Sequence, residues 1–215
     1  MKIGIISDIH ANLYSLMEIY SKLEHEELDS IVCLGDIVGY GPHPNEVINF
    51  IKRKHIIALK GVYDLAVINE DFSDINESTI NTFSLNFTRQ EITKNNLYYL
   101  SNLPTEMNLS FGDVKAKFIH RNPYSDINDS CEDFLICGCT HIAGEEKINK
   151  DKYIINPGSV GKPQENGIVT FGVLEISEKF YKYKVMNSEH SYEKLQKDMR
   201  MLNFPEILID SYNKK

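Results

Sequence analysis

The chain has no apolar run approaching the roughly 18 residues that a membrane-spanning helix requires, so no span is expected in its 215 residues. It is short of positive charge. Lys and Arg number 23 against 31 Asp and Glu, for a formal net charge of −8. That balance argues against binding to a nucleic-acid duplex or to an anionic membrane surface. A local phosphate site stays open, because a metal ion could supply the missing charge. Cysteine is scarce as well: Cys33, Cys131, Cys137 and Cys139 make no dense disulfide framework. In a reducing compartment such residues are core positions or ligands rather than disulfides. Cys33, within Ile31-Val32-Cys33-Leu34, and Cys137, after Phe134-Leu135-Ile136, read as small core residues. The opening Met1 to Asp8 has too short an apolar stretch for a signal peptide, and Asp8 interrupts it. The cytoplasm is therefore the expected address. No internal repeat, low-complexity linker or domain boundary breaks the sequence, so a single domain over residues 1–215 is expected.

What is present alternates. Lys2 to Ser7 and Ser30 to Leu34 read as buried strands, with a third at Ile56 to Leu59. Between them, His10 to Glu24 and Asn45 to Lys54 carry apolar residues at helical spacing. This order predicts parallel pairing in an α/β layer. From Asn76 to Asn102 the pattern turns helical and polar. Strands then follow closely at Met107–Phe111, Val114–Ile119, Phe134–Cys137, Tyr153–Ile155, Ile168–Ile176 and Phe180–Met186. Their crowding predicts a second, more antiparallel sheet. The tail, about residues 190–212, reads as a helix, a break at Phe204-Pro205 and a short second helix.

The chemistry sits at the strand ends. In a sheet of this kind ligands collect beyond the carboxyl ends of the strands. Asp8 and His10 follow the first strand, Gly35-Asp36 the second, and Gly61-Val62-Tyr63-Asp64 the third. An aspartate after a strand is ordinarily a turn or cap residue, and His10 alone could be a surface histidine. Together they have the spacing that a shared metal site needs, since carboxylates brought this close repel unless a cation intervenes.

These blocks, with His120 and Gly138-Cys139-Thr140-His141, resemble the ligand blocks of the calcineurin-like metallophosphoesterases. Gly35 to Pro44, Phe87 to Gln90 through Leu100 to Pro104, and Asn156 to Pro163 are similar to blocks of that family's bacterial and archaeal diadenosine-tetraphosphatase-like branch. The resemblance runs from Lys2 to the C-terminal helices. It implies an α/β fold, a four-layer α-β-β-α sandwich of two mixed sheets flanked by helices. It also implies hydrolysis of a phosphate mono- or diester, with a nucleotide or dinucleoside polyphosphate as the small phosphorylated ligand.

The resemblance assigns a first divalent metal (manganese, iron or zinc) to Asp8, His10, Asp36 and His141, with Asp36 bridging to a second. That second metal would want asparagine at 62 and histidine at 120 and 139, where this chain has Val62, His120 and Cys139. Valine has no ligand atom. Cysteine ligates as thiolate and suits zinc or iron better than magnesium; otherwise Cys139 is a small buried residue filling a lost ligand's place. Tyr63 stands where relatives often place a substrate-facing histidine, and Arg121 stands where they have glycine. Gln164 replaces an arginine. Tyr63 is then expected to donate a hydrogen bond to a phosphoryl or leaving oxygen, and Asp64 to orient its loop. Arg121 would contact phosphate or stand in solvent as an ordinary arginine. One metal with a doubtful second site is the expectation. Two readings follow: a metal-dependent phosphoesterase, or a non-catalytic sensor that keeps the fold and binds a phosphorylated ligand.

Overall fold

In the computed structural model, residues 1–71, 73, 75, 78–125, 131–149, 152–164 and 167–213 are described. Strands β1 (Lys2–Ile6), β2 (Ser30–Cys33) and β3 (Ile57–Ala58) alternate with helices α1 (Leu13–Leu23) and α2 (Pro44–Arg53), as the apolar spacing predicts. Helices α3 (Val62–Asn69), α4 (Thr79–Glu91) and α5 (Lys94–Ser101) follow. Then come β4 (Glu106–Phe111), β5 (Val114–Ile119), β6 (Phe134–Cys137), β7 (Ala143–Lys147), β8 (Tyr153–Pro157), β9 (Ile168–Ile176) and β10 (Tyr181–Glu189). Helices α6 (Glu193–Met201) and α7 (Glu206–Asp210) end the fold, with Pro205 at the break between them.

The strands form two mixed five-stranded sheets. One has the order β10-β9-β1-β2-β3, the other β4-β5-β6-β8-β7. In the first, β1, β2 and β3 are parallel, β9 runs antiparallel to them, and the edge strand β10 runs antiparallel to β9. In the second, β5, β6 and β8 are parallel, with β4 and β7 as antiparallel edges. Between the sheets lie Ile3, Ile5, Val32 and Leu34 from one and Phe118, Phe134, Ile136 and Ile155 from the other. The outer face of the first sheet is covered by a larger cluster, to which every described α-helix contributes buried residues. The outer face of the second sheet carries the small cluster Ile119, Leu135, Cys137 and Ile154, to which no described helix contributes. The helices are thus concentrated on one side of the sandwich. Cys33 and Cys137 are buried core residues, as their apolar flanks predict.

Five elements differ from the sequence reading. Strands β9 and β10 belong to the first sheet, not the second. Close spacing identifies a hairpin but not the sheet it joins, and β9 is a central strand buried on both faces, paired to β1 on one side and β10 on the other. Helix α1 begins at Leu13, because His10 and Ala11 adopt left-handed φ of 48° and 51°. Strand β7 and helix α3 carried no period to read. The sequence Ala143-Gly-Glu-Glu-Lys147 is a polar edge strand, and Val62–Asn69 is apolar on nearly every side.

Candidate functional site

The parallel strands β1 and β2 end side by side and deliver Asp8, His10 and Asp36 to one edge of the sandwich. The ends of β5 and β6 deliver His120 and His141 to the same place. Left-handed φ values cluster there: Asp8 54°, His10 48°, Asp36 51°, Cys139 76° and His141 60°. Such conformations cost about 1–3 kcal/mol each for residues other than glycine, so the surroundings must hold them. A backbone mesh does so. Asp8 N–H donates to Gly35 O (3.0 Å), His10 N–H to Asp36 O (2.9 Å) and Gly161 N–H to Asp8 O (2.9 Å). Ser159 Oγ adds a bond to Asp8 O at 3.0 Å. The Asn156–Pro163 loop packs so closely that a Cβ on Gly161 would lie 1.8 Å from Ile9 O. Asp64 ties the other side: fully buried, it accepts from the backbone N–H groups of Ile37 (3.0 Å), Val38 (3.0 Å) and Gly61 (2.9 Å). Burial first, then the Asp36 charge, push its carboxyl up to about 6 against these bonds. Its bonds make it an orienting residue for the loops.

The side chains converge. His141 Nε2 lies 3.0 Å from Asp8 Oδ1 and 3.2 Å from His10 Nε2. His10 Nε2 lies 3.8 Å from Asp36 Oδ2, and His120 Nε2 lies 3.2 Å from Asp36 Oδ2 and 3.6 Å from Asp8 Oδ1. Asp8 and His10 are fully buried, with Asp36 and His120 nearly so. Two groups have the closeness of a metal's ligands: Asp8, His10 and His141, and Asp8, Asp36 and His120. The carboxylate common to both is Asp8, while Asp36 Oδ2 stands between His10 and His120. Asp36 Oδ1 is taken up by the N–H of Tyr63 at 2.8 Å.

The donors fit a cation better than they fit one another. His10 Nδ1 faces Val38 O at 3.3 Å and His141 Nδ1 faces Lys162 O at 2.5 Å. A neutral ring that donates from Nδ1 leaves its lone pair on Nε2. With both rings in that form, the two Nε2 lone pairs would face each other across 3.2 Å, beside buried Asp8 Oδ1, which His141 Nε2 approaches to 3.0 Å. Neither nitrogen of His120 has a hydrogen-bond partner. Buried polar atoms are almost always paired, and a divalent ion between Asp8, His10 and His141 would engage the two Nε2 atoms and Asp8 Oδ1 together, while one among Asp8, Asp36 and His120 would engage a single nitrogen of His120.

The electrostatics divide the three rings, and in His141 burial is overcome by the hydrogen bond and charge of Asp8, which raise it. Burial alone would raise Asp8, but His120, His141 and His10 outweigh it and hold the carboxyl well below the usual carboxylate range. Burial foremost, helped by His141, lowers His10 to about 4 despite Asp36 and Asp8, so its ring is neutral and able to ligate. In His120 burial is overcome by Asp36 and Asp8, which raise it to about 9.

The remaining candidates divide. Val62 opens α3 half-buried and presents only methyl groups. Cys139 is exposed, not a small buried filler, and stands outside both ligand groups. Burial of its thiol, then Asp36 and Asp8, push it up to about 11, so without a metal it is no thiolate. Tyr63 is buried, its ring edge-on to His10 with centroids 5.1 Å apart. Its hydroxyl is already engaged, with Tyr40 Oη at 2.6 Å and Asn81 Oδ1 at 2.8 Å. Arg121 is partly exposed and reaches Glu106 Oε2 at 3.5 Å, and Gln164 donates to Thr140 O at 3.2 Å. Tyr63→Phe is therefore expected to lower stability by about 0.5–1.5 kcal/mol while turnover stays within a few-fold of wild type. Thermal melts beside a phosphate-release assay check this; a drop of about 10² in rate would mean that the hydroxyl turns to the substrate. Sequence reasoning missed Tyr40, whose ring also meets His10 edge-on at 4.8 Å, and the Lys162 carbonyl that orients His141. A tyrosine between two glycines was the available signal for the first; a backbone acceptor leaves none.

A family model described as the calcineurin-like phosphoesterase superfamily domain matches residues 1–179. The chain is 29% identical over 232 aligned positions to an uncharacterized protein of Methanocaldococcus jannaschii, covering 96% of this chain and 95% of that one. Its fold is similar to the crystal structure of a metallophosphoesterase from Sphaerobacter thermophilus, at 24% identity and TM-score 0.78, over 99% of this chain and 98% of that one. It is also similar to the crystal structure of a hypothetical protein from Pyrococcus horikoshii, at 18% identity and TM-score 0.80, over 100% and 99%. Among the described residues no helix is long and apolar enough to cross a membrane.

Proposed function

Since the chain belongs to the calcineurin-like phosphoesterase superfamily, we propose that it hydrolyses a phosphate mono- or diester of a small ligand, a nucleotide or dinucleoside polyphosphate, at a reduced metal site. One divalent transition metal, manganese, iron or zinc, is held by Asp8, His10, Asp36 and His141. A second position at Asp36, Asp8 and His120 is weak. The observation that carries this reading is the convergence of the His10 and His141 Nε2 atoms, 3.2 Å apart, on buried Asp8 Oδ1. Oxygen and imidazole donors accept all three metals. When bound, such an ion acidifies water and offsets charge on a phosphoryl group.

The chain's own residues supply the rest. Asp8, His10 and His141 present their donors already oriented by backbone groups: the Cys139 N–H donates to Asp8 Oδ2 at 3.3 Å, and the Val38 and Lys162 carbonyls face Nδ1 of His10 and His141. Asp64 locks the Asp36 and Gly61 loops together, so that the Tyr63 N–H holds one oxygen of Asp36 and leaves the other facing the site. Val62 supports a weak second position, since it denies that position a ligand which Cys139, exposed and protonated, does not replace.

A second reading, a sensor that binds without turnover, is favoured by the Tyr63 hydroxyl, which is committed to Tyr40 and Asn81 rather than free for substrate. The experiment is turnover of a chromogenic phosphodiester with manganese added. Metal-dependent release that Asp8→Asn abolishes is the expected result. No release, with calorimetric binding of a nucleotide, would replace the enzyme by the sensor, and neither release nor binding would sink both.

A further inference from the structure

Past residue 179, where the match to the family ends, the end of β10 leads into α6 and α7. Side chains of these helices reach two loops of the metal centre. Lys162, in the Asn156–Pro163 loop, extends its ammonium to Ser211 just after α7, donating to Ser211 O at 3.1 Å and Oγ at 2.5 Å, 4.0 Å from the centre of the Tyr212 ring. The backbone of the same lysine is at the site. Its carbonyl faces His141 Nδ1 at 2.5 Å, and its N–H donates to Ser159 Oγ, which in turn donates to Asp8 O. The second tie runs from α6. Asp198 Oδ2 accepts from Tyr14 Oη at 2.6 Å and faces His43 Nε2 at 3.0 Å. His43 closes the loop whose N–H groups grip the next ligand segment: Gly41 N–H donates to His10 O at 3.0 Å, and His43 N–H to Ala11 O at 3.2 Å.

We propose that the C-terminal segment, residues 190–213, is a positioning element of the metal centre, setting the orientation of His141 through Lys162 and of His10 through Asp198. The inference rests on the reading that Asp8, His10 and His141 hold a cation. Packing alone does not call for these ties. Leu195, Met199, Leu208 and Ile209 already bury the two helices against the first sheet. A half-buried ammonium and an aspartate–histidine pair are costly ways to dock a helix that apolar side chains would dock as well. They do fix direction, which apolar packing does weakly, and groups that orient metal-binding histidines typically set affinity by about 10- to 100-fold.

The test is calorimetric titration of manganese into the intact chain, well below its unfolding temperature. Lys162→Met keeps the aliphatic stem and removes the three N–H donors; Asp198→Ala cuts the other tie. Each is expected to weaken manganese binding by about 10-fold or more, with Lys162→Arg recovering most of the loss. Ile176→Ala, which loosens the core between the sheets at the end of β9 and touches neither tie, is expected to lower the melting temperature and leave manganese affinity near wild type. Wild-type affinity in both Lys162→Met and Asp198→Ala would overturn the proposal. So would a loss in Ile176→Ala as large as theirs, since the two ties would then act by stability alone. A wild-type chain that binds no manganese would instead overturn the metal-centre reading, and this inference with it.

Discussion

Asp36→Ala is expected to strip the chain of its metal and to lower phosphodiester turnover by on the order of 10³ or more. Asp36 Oδ2 stands between His10 Nε2, at 3.8 Å, and His120 Nε2, at 3.2 Å, so its loss removes a donor from each position. Without that carboxylate, Asp8 is left to face the raised rings of His120 and His141 alone. The Tyr63 N–H also loses its acceptor at the start of α3. Several kcal/mol of transition-state stabilisation disappears with the ion. Elemental analysis beside the turnover assay, with circular dichroism to confirm folding, measures the effect. Full metal occupancy in a folded Asp36→Ala chain would remove Asp36 from the site.

Val62→Asn combined with Cys139→His is expected to add a second tightly held metal and to raise turnover by on the order of 10² or more. Val62 is the first residue of α3, next to the Tyr63 N–H that holds Asp36. An amide oxygen there enters beside a carboxylate already in place. Position 139 has φ of 76°, and histidine tolerates left-handed backbone, as His10 and His141 already do at 48° and 60°. The new groups would join Asp36 and His120, whose ring nitrogens now lack hydrogen-bond partners. A second metal without a gain in turnover would mean that Tyr63, Arg121 or Gln164 closes the site to substrate. No second metal would mean that the loop at Cys139 does not bring its side chain within reach.

Much of this was legible because strand ends leave local marks. Apolar runs stopping at Asp8 and Asp36 gave both the strands and the carboxylates, and period-3.6 spacing gave α1 and α2 to within a few residues. What stayed hidden was non-local. No local pattern places β9 next to β1, because their pairing spans the whole chain, Ile3 opposite Leu174. The polar edge strand β7 lacks alternation, and α3 lacks a polar face. In the site, ligand identities were readable as residue types, but their division was not. Asp8, rather than Asp36, is common to both donor groups, because its Oδ1 lies near both His141 and His120, at 3.0 and 3.6 Å. The exposure of Cys139 and the engagement of Tyr63 with Tyr40 and Asn81 likewise depend on loops that meet only in the folded chain.

The most direct measurement is metal content per chain, by elemental analysis of protein purified without chelator. The reduced site proposed above predicts close to one divalent transition metal per chain, lost on Asp8→Asn, since Asp8 is common to both donor groups and Val62 gives the second position no ligand. Two tightly held metals per wild-type chain would contradict it and make Cys139 a true ligand; none, after incubation with manganese, iron and zinc in turn, would contradict the metal centre itself.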